Sequence, residues 1–309
     1  MKKFWIALAA LALSAAAASA QDYNAAIDSF NAGAQALEVN KVEALAQFRS
    51  ALAQFEACQE EEAAEMIAKC KEIIPSTLLS IAKEQINDAD YDAALITLDQ
   101  TAATAKEYCA EAVAADAAEL VTNTYLRKGS SLLKEKDFAG AAAALQEVVG
   151  REPGNGQAQL LLGQALLQDG KLEDATLALE SANALGKTQA LKLLSNAYLK
   201  QGQSLLKAGK LDECVASLEK SNSYIPSANA FKLMASAFTK GNKSAQAIDA
   251  YKKYLEVDPN AKDAPDILFT IAATAQKAGD KATAIEYYEK LAGNAKYGAQ
   301  AAAQLKALK

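Results

Sequence analysis

The sequence predicts an all-α protein built as a solenoid of antiparallel helix pairs, and three observations carry that reading. Alanine and leucine dominate an apolar set that makes up 51% of the chain, while aromatic residues make up only 6%, a balance that favours helix over strand. Only five prolines and fifteen glycines interrupt 309 residues, so long stretches run without a helix breaker. Small and bulky side chains also recur at a period of about 34 residues, which is how arrays of helical hairpins show themselves in a sequence.

Residues 1–20 stand apart from the repeats. Lys2 and Lys3 precede an apolar run from Phe4 to Leu13, and Ala18-Ser19-Ala20 places small residues where a signal peptidase cuts. The expectation is a cleaved signal peptide over 1–20, with Gln21 starting the mature chain. A retained membrane anchor is the alternative, and the alanine-rich end of the run followed by Gln21-Asp22 argues against it. Because Gln21 is not cysteine, the usual lipoprotein attachment is not expected. The mature protein is therefore expected in the periplasm or secreted, with no stable membrane insertion. Loss of Lys2 and Lys3 takes the net charge from −6 to −8, which argues against nucleic acid or anionic lipid as a general partner.

The clearest unit runs from Tyr125 to Pro153 and carries Tyr125, Gly129, Leu132, Phe138, Ala141, Leu145, Val148 and Pro153. The next repeats it with Leu162, Gly163, Leu166, Leu172, Ala175, Leu179 and Ala182, its glycine 34 residues after Gly129. A third copy has Tyr198, Gly202, Leu205, Leu211, Cys214, Leu218 and Pro226; a fourth has Phe231, Ala235, Phe238, Ala247, Tyr251 and Pro259. Leu268, Ala272, Ala275, Ala284 and Tyr288 make a fifth. Upstream, Ile81, Ala82, Tyr91, Ala94 and Leu98 form a degenerate copy, and Phe30, Gly33, Ala44, Phe48 and Ala51 another. Helices cross closely only where side chains are small, so the recurring glycine or alanine marks the crossing point of each pair. Glycines in Asp169-Gly170-Lys171, Ala208-Gly209-Lys210 and Ala278-Gly279-Asp280 suit a left-handed turn between the two helices. Pro153, Pro226 and Pro259 close the second helices.

This pattern resembles the tetratricopeptide repeat, and the chain resembles an exported bacterial member of that family. The resemblance implies a right-handed superhelix. The expected layout is divergent helical repeats over 21–118 with an inserted or lengthened helix near Pro75, an array of about five repeats over 119–292, and a capping helix over 293–309.

Four cysteines in an exported protein raise the question of disulfides. Cys58 lies near the end of one predicted helix and Cys70 inside the next, so a Cys58–Cys70 bridge is expected, with Cys109 as the alternative partner and free thiols as the competing outcome. Cys214 stands where other units have alanine and reads as a small buried hydrophobe. The chain contains no histidine, and the cysteines lack the close pairing of a zinc site, so neither metal nor cofactor is expected. No phosphate-cradling glycine motif and no nucleophile elbow occurs, which argues against an enzyme.

What remains is a surface. In the family, the inner wall of the superhelix comes from the first helix of each pair, and carrying its wall positions onto this sequence gives Arg127, Ser130, Lys134, Leu160, Gln164, Gln168, Asn196, Lys200, Gln203, Lys207, Asn229, Lys232, Ser236, Lys240, Phe269, Gln276 and Lys277. This wall is basic and rich in amides, although the molecule is acidic. The two-carboxylate clamp of chaperone-binding relatives is not reproduced, since Leu126, Leu160 and Leu199 occupy one of its positions. The resemblance therefore implies a non-catalytic scaffold or adaptor of the cell envelope, holding a protein or peptide that is acidic or ends in a free carboxylate. A binder of anionic glycan or peptidoglycan fragments is the alternative, and the oligomeric state is left open.

Overall fold

The computed structural model describes residues 23–58 and 62–308. The expected signal peptide, and most of the acidic run Glu60-Glu61-Glu62, lie outside the described residues. Fifteen helices and no strand occur among the described residues, which makes the protein an all-α helical-repeat solenoid. The chain divides into two units, one ending at Ser131 and one beginning at Leu132.

The first unit contains α1 (Tyr23–Ala36), α2 (Lys41–Ala57), α3 (Ala63–Asn87), α4 (Tyr91–Glu107) and most of α5 (Glu111–Glu135). α1 packs on α2, α2 on α3 and α3 on α4. Its first crossing is set by Gly33: a methyl group there would stand 2.8 Å from the ring of Phe48, which is fully buried. The α3 helix runs 25 residues through Pro75. Proline removes one rung of the hydrogen-bond ladder, but Cys70, Ile74 and Leu78 on both sides of it are buried in the core, so packing holds the helix together. Asn40 and Asp90 cap α2 and α4 by accepting from the backbone N–H groups of Glu43 and Ala93, which satisfies donors that have no partner within the helix.

The second unit contains the end of α5, then α6 (Phe138–Arg151), α7 (Gly156–Gln168), α8 (Leu172–Ala184), α9 (Gln189–Lys207), α10 (Leu211–Tyr224), α11 (Ala228–Lys240), α12 (Ser244–Val257), α13 (Ala264–Lys277), α14 (Lys281–Glu289) and α15 (Gly298–Leu308). Helices α7 and α8, α9 and α10, α11 and α12, and α13 and α14 form pairs, each pair rests on the next, and α15 packs on α14. The first helices α7, α9 and α11 also touch in succession.

Each crossing repeats one device. Gly163 lies directly under Leu179, and a methyl group at Gly202 would stand 2.6 Å from Cγ and Cδ2 of Leu218. Leu179 and Leu218 are fully buried, so neither can move aside cheaply. Ala235 and Ala272, also fully buried, are the small residues of α11 and α13. The turns between paired helices take the left-handed conformation at Gly170, Gly209 and Gly279 (φ 81°, 75° and 82°), as the sequence predicts, and Asn242 adopts it without being glycine (φ 56°). Helices α6, α10 and α12 end two residues before Pro153, Pro226 and Pro259.

The cysteine expectation needs correction. The expected Cys58–Cys70 bridge is not formed, nor is one to Cys109. Cys70 lies in the apolar core beside Ile74, where burial pushes its thiol up to about 11. Cys58 is the C-cap residue that closes α2, with extended backbone (φ −74°, ψ 152°), and Cys109 is exposed at a left-handed turn (φ 60°). Cys214 fills an alanine-sized site with no exposure.

Substituting Gly163→Ala should lower stability by about 1–3 kcal/mol through overpacking against Leu179. Gly150→Ala, in α6 with open space around it, should be neutral or stabilise by up to about 1 kcal/mol because helix propensity acts alone. Urea unfolding of the two variants checks this; equal effects at the two sites would contradict the packing account.

Candidate binding wall on the first helices of the second unit

Charge on α7 to α11 is sorted by helix. The first helices α7, α9 and α11 carry Lys192, Lys200, Lys207, Lys232 and Lys240 and no carboxylate, whereas the second helices α8 and α10 carry Glu173, Asp174, Glu180, Asp212, Glu213 and Glu219 against a single Lys220. Part of this follows from the helix dipole. Glu173, Asp174, Asp212 and Glu213 sit in first turns, and Lys207 and Lys240 in last turns, where each sign is favoured. Lys192 and Lys200 lie away from the last turn and have no such explanation.

Two clefts contain residues of the predicted wall. One, of about 480 Å³, lies between α7 and α9 and brings together Gln168, Asn196 and Lys200 of the predicted wall. Its apolar lining comes from Leu167, Leu172, Leu193 and Ala197, and Gln201 and Ser204 add polar groups. Gln201 is held in place because its Oε1 accepts a 2.7 Å hydrogen bond from the Ser217 hydroxyl. Lys200 is exposed and forms no ion pair among the described residues. The second cleft, of about 340 Å³, lies between the end of α11 and α13 and is lined by Thr239, Asn242, Ser244, Phe269, Thr270, Ala273, Thr274 and Lys277. Phe269 is fixed there by stacking on Tyr297, with ring centroids 4.7 Å apart.

The remaining predicted residues distribute unevenly. Lys134, Lys207, Asn229 and Lys240 are exposed, and Gln164, Gln203 and Ser236 half-buried, outside both clefts. Arg127 and Ser130 belong to the first unit, where the Ser130 hydroxyl donates to the Leu126 carbonyl. Leu160 is core, with 2% of its surface exposed. Gln276 links Tyr288 to Gln304 through its side-chain amide. Lys232 is spoken for: it pairs with Asp263 and lies 5.5 Å over the Tyr254 ring, while the Tyr254 hydroxyl donates to the same Asp263 at 2.5 Å. Lys232 and Tyr254 hold the Asp263 carboxyl below its usual range, and the bond to Asp263, with burial, pushes Tyr254 up to about 12.

The sequence reading missed Gln201, Ser204, Thr239, Thr270 and Thr274. A signal was present in α13, where Thr270, Thr274 and Lys277 recur at helical spacing and share a face.

A helical array that offers polar clefts along adjacent first helices defines a repeat scaffold for macromolecular partners. Residues 126–190, and again 231–261 and 266–295, match tetratricopeptide repeat family models; the chain is a tetratricopeptide repeat protein, a class that binds protein partners. No curated protein matches the chain. Solved structures resembling it include MamA from Desulfovibrio magneticus RS-1, 20% identical, covering 55% of this chain and 93% of that one at a TM-score of 0.31. PilF of Pseudomonas aeruginosa is 17% identical, covering 62% and 92% at a TM-score of 0.28. A thermophilic TPR protein of Thermus thermophilus is 16% identical, covering 60% and 98% at a TM-score of 0.26. No helix among the described residues is long and apolar enough to cross a membrane.

The Tyr254–Asp263–Lys232 contact has a pH consequence. A tyrosine whose folded pKa is raised contributes stability that is complete below its ordinary value of 10 and is lost as pH climbs towards about 12. Thermal melts across alkaline pH should show a shallower loss for Tyr254→Phe than for the wild type, with Tyr224, also pushed up to about 12 mainly by burial, contributing equally in both. Parallel losses would contradict the assignment.

Proposed function

We propose that the protein is a non-catalytic scaffold of the bacterial cell envelope whose α7–α9 cleft, with the wall around it, holds an extended acidic segment of a protein partner. One observation carries the reading: the first helices α9 and α11 bear five lysines, and neither they nor α7 bear a carboxylate, in a molecule of net charge −6. Lys200, exposed and without an ion pair among the described residues, supplies a cation for a carboxylate. Gln168, Asn196 and Gln201 supply amides that can bond the main chain of an extended peptide, and Leu167 and Leu193 accept an apolar side chain. The envelope location rests on the leader-like sequence from Lys2 to Ala20.

A fluorescent peptide alternating glutamate with leucine is the probe. It should bind the wild-type protein with an affinity that falls as salt rises, and Lys200→Glu with Lys207→Glu should weaken it by at least about tenfold without changing the melting temperature. Unchanged affinity would sink the cleft reading. Binding of a peptidoglycan fragment in place of the peptide would move the assignment to an anionic glycan.

A further inference from the structure

The acidic helices have a face of their own. On α8, Glu173, Asp174, Leu177 and Glu180 are all exposed, while Ala175, Thr176, Ala178, Leu179 and Ala182 are buried, so these four form one outward stripe. Leu177 is 67% exposed, a large apolar side chain held out between carboxylates at i−4, i−3 and i+3. Glu173 and Asp174 form no ion pair among the described residues, whereas Glu180 already accepts from Tyr224 and lies 3.5 Å from Lys220.

The wall on α9 is the complement of that stripe. Lys192, Asn196 and Lys200 succeed one another at i, i+4 and i+8, and Lys200 lines the cleft beside Leu193 and Ala197. Unpaired carboxylates beside an exposed leucine on α8 thus match in sign and kind the unpaired Lys200 beside an apolar cleft on α9. The 480 Å³ cleft has room for a leucine side chain.

We propose that the occupant of this wall is a second copy of the chain, whose α8 stripe seats Leu177 in the α7–α9 cleft with Asp174 and Glu173 against Lys200. The proposal rests on the reading of the wall as a cationic binding surface and names a partner for it. Because the two faces differ, the contact is heterologous: each copy offers one free stripe and one free wall, so copies add head to tail. Other acidic segments compete for the same cleft, which couples partner capture to assembly.

Sedimentation velocity of the mature chain from Gln21 onwards tests this. The wild type should gain mass as concentration rises in low salt, and should revert to monomer in high salt. Asp174→Lys alone, Leu177→Lys alone and Lys200→Asp alone should each weaken association by at least about tenfold. A mixture of the Asp174→Lys and Lys200→Asp proteins should associate again, because each then presents a face complementary to the other. A wild type that stays monomeric, single variants that associate normally, or a mixture that fails to recover would each overturn the proposal. The glutamate–leucine peptide separates this from the wall reading: Leu177→Lys should bind the peptide as the wild type does, whereas Lys200→Asp should lose both activities. Peptide binding without self-association leaves the wall standing and removes the second copy as its occupant.

Discussion

The structure depends on a close crossing within each helix pair, where a glycine or alanine of the first helix lies under a large side chain of the second. At Gly163 under Leu179 and Gly202 under Leu218 there is no room for even one methyl group. That approach lets the two helices bury a continuous apolar seam. It also leaves each pair with a further apolar face that only the next pair can cover. Stacking follows, and with it the succession of first helices on which the clefts lie.

The same geometry sorts the charges. Carboxylates sit in the first turns of the second helices α8 and α10, and lysines in the last turns of the first helices α9, α11 and α13. This much is a structural consequence of building hairpins and says little about partners. The residues that exceed it are fewer: Lys232, drawn into the contact with Asp263 and Tyr254, and Lys192 and Lys200, which are not. The binding potential of the wall therefore concentrates on α9, where cations and an apolar cleft coincide.

Much of this architecture was legible in the sequence because it is written in side-chain volume. Gly163, Gly202, Cys214, Leu179 and Leu218 announce their roles by size and spacing, and Gly170, Gly209 and Gly279 by their backbone freedom. A lengthened or inserted helix was expected near Pro75, and the burial of Cys70, Ile74 and Leu78 on both sides of it shows why one helix runs through the proline. The wall was only partly legible. Repeat positions identify which residues belong to first helices, but not that Leu160 turns into the core or that Lys232 meets a carboxylate 31 residues away. Nor can they reveal that Gln201 is anchored by Ser217 on the neighbouring helix. Those facts depend on how pairs rest on one another. The cysteines show the same limit, because proximity of Cys58 and Cys70 in sequence says nothing about Cys70 serving as a core residue.

A double-mutant cycle at Gly202 and Leu218 tests the packing claim most directly. Gly202→Ala alone should cost about 1–3 kcal/mol and Leu218→Ala about 2–5 kcal/mol. In the Leu218→Ala background the added methyl should fill the space left behind, so that its cost vanishes or reverses and the coupling reaches at least about 1 kcal/mol. Effects that add to within about 0.5 kcal/mol would show that the two residues do not share that space, and the crossing could not be what the fold is built on.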